Sequence, residues 1–174
     1  MKPVRCLITE SEIEQAVLAL GRRISDEYRG KPLTVIGILT GSIMLVTDLM
    51  RQIDVPHKLG LVHASSYRGQ ATTSGSLRVD LSSLPDLTDR HVLVIDDIFD
   101  TGKTMKTIVE RVQLSNPLSV KSVVLLWKKV RTEVQPIPDY FAFEIPDEFV
   151  VGYGLDFNDE YRHLPYIGVI ETSA

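Results

Sequence analysis

The chain has 174 residues, of which 44% are hydrophobic and 24% charged, and its formal net charge is −4. A chain of this length can bury a sizeable core as one domain, residues 1–174, and its acidic balance gives no electrostatic reason to expect a nucleic-acid or membrane partner. Cys6 is the only cysteine, which excludes an intrachain disulfide, and the sequence has neither an apolar signal segment nor a run of about 20 apolar residues, so we expect a cytoplasmic protein.

The first predicted helix begins after Thr9. Thr9 and Glu12 have the spacing of a capping box, in which each side chain hydrogen-bonds the backbone amide of the other residue. Apolar residues then recur at helical spacing along one face, namely Ile13, Ala16, Val17, Leu20 and Ile24. Gly30 is expected to end the helix.

Apolar runs of strand length alternate with helical segments through most of the remaining chain. Strands are expected at 33–39, 58–67, 91–95 and 122–127, and helices at 43–52 and 104–114. Residues 77–81 are expected to return beside 58–67 as a hairpin with a mobile tip, and short strands and loops follow the last long strand. This alternation predicts an α/β fold with a mainly parallel sheet covered by helices on both faces.

Polar motifs follow three of these predicted strands, after Leu39, Ile95 and Trp127. In parallel sheets, ligands bind outside the carboxyl ends of the strands. The sequence therefore predicts a ligand site at that edge of the sheet.

The segment VLVIDDIFDTGKT, residues 92–104, carries the most specific signal. Its GKT end suggests a nucleoside triphosphate loop, but that pattern needs glycine where Asp97 stands. What remains is a turn at a helix N-terminus whose amides can hold a single phosphate monoester, and these are the amides of Thr101, Gly102, Lys103 and Thr104.

Three aspartates precede or enter this phosphate loop. Asp96 and Asp97 could accept hydrogen bonds from vicinal sugar hydroxyls, directly or through a divalent cation, so a phosphorylated ribose would satisfy both parts of the motif. Asp100 lies between them, where it could face the group bonded to the anomeric carbon of the sugar. A solvated strand end followed by a plain helix cap would explain a bare DD or DTG, but not the whole segment as readily.

The segment resembles the phosphoribosyl-pyrophosphate-binding motif of the type I phosphoribosyltransferases. Three further segments resemble the hypoxanthine (hypoxanthine-guanine) phosphoribosyltransferases: LTGS at 39–42, SSY at 65–67 and FEIPDEFVVGYGLDFNDEYRHLPYIGVI at 143–170. The resemblance covers nearly the whole chain. It implies the type I phosphoribosyltransferase fold, in which helices flank a mainly parallel central sheet, terminal segments form a small hood, and a hairpin loop is flexible.

On the sugar side, the resemblance implies that Asp96 and Asp97 bind the ribose 2′- and 3′-hydroxyls, Asp96 partly through Mg²⁺. Asp100 would be the general base or acid at purine N7, and residues 101–104 would form the 5′-phosphate loop. Thr40 and Gly41 would form the pyrophosphate loop. Many relatives carry lysine at position 40, so backbone contacts would have to serve here.

On the base side, Lys128 would donate to the 6-oxo group of the purine. Adenine presents an amino group at that position, and two donors cannot pair, so a preference for 6-oxopurines follows. Phe149 would stack on the purine, and Val150 would pair with its edge through the backbone. Taken singly, Phe149 is better explained by core packing and Lys128 by a solvated strand end.

The resemblance assigns the remaining roles to residues near the pyrophosphate. Asp156 would bind a second Mg²⁺, and Arg162 would hold the pyrophosphate as a bidentate donor. Ser66 and Tyr67, which alone could be a plain hairpin, would head a loop that closes over the site and excludes water.

The implied reaction is a Mg²⁺-dependent transfer from 5-phospho-α-D-ribose 1-diphosphate to hypoxanthine or guanine by a homodimer or homotetramer, giving IMP or GMP and pyrophosphate. Two alternatives stay open: a xanthine-guanine specificity, and a regulator that keeps the fold and binds nucleic acid. The acidic balance and the lack of length for a DNA-binding domain weigh against the regulator.

Overall fold

The structure is a computed structural model that describes residues 4–65 and 78–171. The helices are α1 (Glu10–Tyr28), α2 (Ile43–Gln52) and α3 (Lys103–Gln113). The strands are β1 (Val4–Ile8), β2 (Leu33–Leu39), β3 (His57–Ser65), β4 (Arg78–Val79), β5 (His91–Phe99), β6 (Ser119–Trp127), β7 (Tyr140–Glu144), β8 (Val150–Val151) and β9 (Ile167–Ile170). A 3₁₀ turn, Lys129–Arg131, follows β6. No helix in these described ranges is both long and apolar enough to cross a membrane.

The larger sheet has the strand order β4-β3-β2-β5-β6-β7. The strands from β3 to β7 are parallel, and only β4 runs antiparallel, with Val79 opposite Ala64 of β3. This confirms the predicted α/β fold with a mainly parallel sheet. Because parallel strands end at one edge, the residues that follow β2, β5 and β6 become neighbours in space.

A second sheet of three antiparallel strands, β1-β9-β8, joins the two ends of the chain. Val4 lies opposite Ile170, and Val150 lies opposite Val169. This sheet corresponds to the small hood that the resemblance implies. β1 was not among the predicted strands, because its pairing partner β9 lies at the far end of the sequence and its five residues show no clear alternation.

The two faces of the larger sheet pack against different helices. Along β2, Val35 belongs to the core cluster that includes α1 and α2, whereas its neighbour Ile36 packs with the buried residues of α3. At the start of α1, the Thr9 side chain accepts from the Glu12 amide, and Glu12 Oε2 accepts from the Thr9 amide at 2.8 Å, which confirms the capping box. The sheet is therefore covered on both sides, as its apolar strands require.

β5 is longer than the predicted strand 91–95. Ile98 and Phe99 pair with Leu126 and Trp127 of β6, so the strand continues past the aspartates. Asp96 and Asp97 therefore lie within the last part of the central strand and not in a loop after it. The predicted end of the strand at residue 67 and the start of its return at residue 77 lie outside the described residues.

Candidate active site

A cavity of about 550 Å³ opens at the carboxyl edge of the larger sheet, beneath the small sheet. Most of the predicted site residues line it, namely Thr40, Gly41, Asp97, Asp100, Lys128, Phe149, Val150, Asp156 and Arg162. A smaller cavity of about 220 Å³ adjoins it and is lined by Asp96, Thr101, Gly102 and Thr104. Asp97 and Asp100 line both cavities, so the two spaces share a wall.

The phosphate loop takes its shape from Gly102, the N-cap of α3. Gly102 has φ 86°, a left-handed conformation, and a Cβ at this position would lie 2.4 Å from the ring of Phe99. Glycine is therefore required for both conformation and space. The Lys103 side chain is directed away from both cavities and pairs with Glu133 at 2.5 Å, so only its amide can serve the loop.

Burial and backbone hydrogen bonds hold the acidic pair near the end of β5. Asp96 is only 8% exposed, and its Oδ1 accepts from the Asp97 amide at 3.0 Å, while Asp97 Oδ1 accepts from the Ile98 amide at 2.8 Å. Burial, and secondly the charge of Asp97, raise the pKa of Asp96 well above its ordinary value. Burial also raises the pKa of Asp97, although hydrogen bonds and the positive charge of Arg162 oppose that shift.

The Thr40–Gly41 loop packs directly against this pair. A Cβ on Gly41 would lie 1.7 Å from Asp97 Oδ2, and a Cβ on Gly154 would lie 2.0 Å from the Gly41 carbonyl oxygen. The Leu39–Thr40 peptide bond is cis. The predicted pyrophosphate loop is thus enclosed between the acidic pair and the segment that carries Asp156.

The environments of Lys128 and Phe149 exclude the purely structural roles, a solvated strand end and core packing, that each residue taken singly suggests. Lys128 is only 7% exposed, with Nζ 3.5 Å from Asp147 Oδ1, so it is not a solvated strand end. Phe149 is 56% exposed and lines the larger cavity, so it does not fill the core. Val150 lies in β8, an edge strand of the small sheet, where one side of the backbone is not paired with β9.

Asp156 and Arg162 are brought together by an irregular segment. Arg162 Nη1 donates to the Gly154 carbonyl oxygen at 2.8 Å, and Nη2 lies 2.8 Å from Asp156 Oδ1 and 3.3 Å from Asp159 Oδ1. The Tyr153 hydroxyl donates to Asp48 Oδ2 at 2.7 Å, which ties the segment to helix α2. The predicted metal-binding residue and the predicted pyrophosphate-binding residue therefore form an ion pair with each other.

The carboxylates of the site fit Mg²⁺ shared with a substrate. Within the described ranges, no three His, Cys, Asp or Glu side chains are grouped so that they could hold a metal ion. Asp96 and Asp156 line different cavities. Mg²⁺ typically binds one or two carboxylates and completes its octahedral shell with substrate phosphates and water, so separate single carboxylates suit it.

Some residues of the site were not predicted. Arg131 Nε donates to Asp100 Oδ1 at 2.8 Å, and its Nη1 lies 3.6 Å from Asp147 Oδ2. His63 of β3 lines the larger cavity as well. Arg131 and Asp147 stand in the segments WKKVR and FEIPDEF, but no spacing or periodicity marks them. Ser66 and Tyr67 lie outside the described residues.

The fold and this site together are those of the phosphoribosyl transferases. A family model described as "Phosphoribosyl transferase domain" matches residues 8–158. The hypoxanthine phosphoribosyltransferase of Salmonella typhimurium is 38% identical over 169 residues, which cover 96% of this chain and 95% of the relative. The hypoxanthine-guanine phosphoribosyltransferase of Streptococcus pneumoniae is 39% identical over 170 residues, covering 98% and 94% of the two chains.

Solved structures show the same similarity. A crystal structure of a hypoxanthine phosphoribosyltransferase from Staphylococcus aureus has a TM-score of 0.90 and 38% identity, and the match covers 96% of this chain and 91% of that one. The chain belongs to the hypoxanthine (hypoxanthine-guanine) phosphoribosyltransferase family. It is accordingly an enzyme, a glycosyltransferase.

Proposed function

We propose that this enzyme serves purine salvage by joining hypoxanthine, guanine or both to 5-phospho-α-D-ribose 1-diphosphate, giving IMP or GMP and pyrophosphate. The single observation that carries the proposal is the pair of adjoining cavities. They combine a phosphate loop at a helix N-terminus, an acidic pair, and an exposed aromatic ring beside a buried lysine. We further infer that residues 1–174 act as one domain in the cytoplasm.

The phosphorylated ribose is assigned to the smaller cavity and its mouth. The amides of residues 101–104 and the hydroxyls of Thr101 and Thr104 would hold the 5′-phosphate, since the amides and the dipole at a helix N-terminus attract anions. Asp96 and Asp97 would accept hydrogen bonds from the 2′- and 3′-hydroxyls. Donors at these positions would offset the mutual repulsion of the two buried carboxylates.

We assign the pyrophosphate leaving group to the part of the larger cavity that is lined by Thr40, Gly41 and Arg162. The pyrophosphate would be held by the backbone of Thr40 and Gly41 and by the guanidinium of Arg162. Arg162 would then either give up its ion pair with Asp156 or contact both Asp156 and the pyrophosphate. One Mg²⁺ at Asp96 and a second Mg²⁺ at Asp156 would supply positive charge to neutralise the charge that develops on the departing pyrophosphate. These groups stabilise the negative charge that the pyrophosphate gains as its bond to the anomeric carbon breaks.

We assign the purine to the space beneath the small sheet. Phe149 would stack on the purine, the Val150 backbone would contact its edge, and Lys128 would donate to the 6-oxo oxygen. Asp100 would accept the N7 proton as N9 attacks the anomeric carbon. A positioned general base typically contributes about 10²- to 10⁴-fold to such a step.

Initial rates with hypoxanthine, guanine, xanthine and adenine, each with the sugar diphosphate and Mg²⁺, test this proposal. We expect turnover of hypoxanthine, guanine or both, negligible turnover of adenine, and loss of turnover when Mg²⁺ is chelated. Faster turnover of xanthine than of hypoxanthine would favour the xanthine-guanine alternative. No turnover of any base would overturn the proposal.

A nucleic-acid-binding regulator remains the alternative from another class, but no observation favours it. Salt-dependent RNA binding at micromolar affinity would support it.

We also infer a homodimer or homotetramer. Ile43 and Met44 on α2 are exposed apolar residues that suit a subunit contact. Light scattering or sedimentation of the purified protein measures the number of subunits.

A further inference from the structure

Arg131 lies between the predicted general base and the predicted base-binding lysine. Its Nε donates a hydrogen bond to Asp100 Oδ1 at 2.8 Å, and its Nη1 lies 3.6 Å from Asp147 Oδ2. The other carboxylate oxygen of Asp147 is 3.5 Å from Lys128 Nζ. A chain of alternating charges therefore runs from Asp100 through Arg131 and Asp147 to Lys128. It joins the group expected at purine N7 to the group expected at the 6-oxo oxygen.

The backbone on both sides of Arg131 is hydrogen-bonded to the loop that carries Asp100, the predicted general base. The Lys128 amide donates to the Phe99 carbonyl oxygen at 2.9 Å, and the Glu133 amide donates to the Thr101 carbonyl oxygen at 3.0 Å. These two bonds flank the aspartate on one segment and the arginine on the other. The main chain therefore fixes the two segments relative to each other, so that the Arg131 side chain lies within hydrogen-bond distance of Asp100.

These contacts suit a role in the reaction better than a role in folding. The Arg131 and Asp100 side chains are 44% and 40% exposed, so water screens their attraction in the free protein and the pair contributes little to stability. The guanidinium of Arg131 is charged at every working pH, and its hydrogen bond to Asp100 raises its pKa further. When a substrate displaces water from the cavity, the same contacts act in a lower dielectric and become stronger.

We propose that Arg131 is a positioning residue for the transfer step: it holds Asp100 through Oδ1 and leaves Oδ2 directed to the purine. This inference rests on the proposed function. In that step the N9–C1′ bond forms as the C1′–O bond to pyrophosphate breaks, and the electron pair of that bond leaves with the pyrophosphate. The N7 proton passes to Asp100 Oδ2. Asp147 holds the other end of the guanidinium and so keeps the arginine aligned with the lysine.

Steady-state kinetics of Arg131→Gln, Arg131→Lys and Lys129→Gln test the inference. Lys129 is the matched control, because it belongs to the same turn but pairs with Glu144 at 3.9 Å, outside the site. We expect Arg131→Gln to lower kcat about tenfold with the KM for the sugar diphosphate changed less than about twofold. Arg131→Lys keeps the charge but not the planar fork, so its loss should be smaller, about threefold. Lys129→Gln should keep wild-type kcat.

A double variant separates positioning from a general structural effect. If Arg131 acts through Asp100, then Arg131→Gln should change kcat less than about twofold in an Asp100→Asn background. An equal loss in both backgrounds, or an unchanged kcat for Arg131→Gln alone, would overturn the inference. In either of those cases the wild-type enzyme still turns over its substrates. Absence of turnover by the wild type would instead overturn the proposed function.

Discussion

Gly41 and Asp97 are so close that no side chain fits between them, since a Cβ on Gly41 would lie 1.7 Å from Asp97 Oδ2. Gly41 does not adopt a left-handed φ, so the requirement for glycine is one of space. The contact joins the end of β2 to the end of β5. The predicted pyrophosphate loop and one of the predicted ribose ligands thus fix each other's position.

Gly41→Ala is therefore expected to displace either Asp97 or the loop. A displacement of about 1 Å can cost about 10²-fold in rate, so we expect kcat/KM for the sugar diphosphate to fall by about that factor. Overpacking should also lower the free energy of unfolding by about 1–3 kcal/mol. Gly30→Ala is the control, because nothing lies within 4 Å of a Cβ there. Its φ of 72° should cost stability alone, and equal kinetic losses in both variants would contradict the steric explanation.

Asp96→Asn is expected to stabilise the protein without ligands while it abolishes turnover. Because the raised pKa lets the folded chain hold a proton that the unfolded chain releases, stability falls as the pH rises above 3.8, the ordinary value. Removal of this buried charge should raise the free energy of unfolding at pH 7 by about 1–2 kcal/mol, which corresponds to a rise in Tm of roughly 3–6 °C. Melting curves across pH 4–8 should show the two proteins converging at the acid end of that range.

Ligand should reverse that order of stability. The sugar diphosphate with Mg²⁺ should raise Tm of the wild type and not of Asp96→Asn, since only a protein that binds the ligand is stabilised by it. A variant that melts below the wild type at pH 7 without ligand would contradict the explanation by charge burial.

Asp100→Asn should lower kcat by about 10²- to 10⁴-fold, because an amide cannot accept the N7 proton. The amide oxygen can still accept from Arg131, so the KM for the sugar diphosphate should stay within about twofold. Asp26→Asn is a suitable control, because Asp26 forms an exposed ion pair with Arg29 at 2.9 Å and lines neither cavity of the site. Unchanged turnover of Asp100→Asn would remove this residue from the mechanism.

Phe149→Leu should weaken purine binding with little effect on folding. Stacking on an aromatic side chain is typically worth about 1–3 kcal/mol per base, so we expect the KM for the purine to rise about tenfold. Because 56% of Phe149 is exposed, Tm should change by only about 1–2 °C. Phe141→Leu, at a partly exposed ring that contacts Trp127 and lines neither cavity of the site, should leave the KM unchanged.

The sequence was most informative where local patterns decide the structure. The strand Leu33–Leu39 and the helix Ile43–Gln52 agree with their predicted bounds, because apolar periodicity and a Thr-Gly-Ser break mark their ends. β5 was predicted too short, since its last pairs depend on β6 and not on its own polarity. Backbone pairing across the sheet overrode the local signal of two aspartates.

The site was predictable where one segment carries it and unpredictable where distant segments meet. Residues 92–104 are contiguous, so their order alone indicated a phosphate loop beside carboxylates. The contacts of Arg131 with Asp100 and of Gly154 with Gly41 join positions far apart in the chain. The left-handed backbone of Tyr153 and Tyr161 likewise has no residue-level signal, because neither is a glycine or an asparagine.

The proposed ribose contacts and the proposed stacking contact with the purine rest on different sheets, whereas Lys128, the proposed donor to the 6-oxo oxygen, follows β6 of the larger sheet. The carboxylates for the ribose are carried by β5, in the interior of the larger sheet, whereas Phe149 and Val150 belong to or adjoin an edge strand of the small sheet. Selection or engineering can therefore change how the purine is stacked and how its edge is contacted by altering the segment around β8, while the carboxylates for the ribose and the donor to the 6-oxo oxygen stay unchanged. Directed evolution confined to residues 143–151 should therefore alter the discrimination among 6-oxopurines, whereas acceptance of a 6-aminopurine requires a change at Lys128.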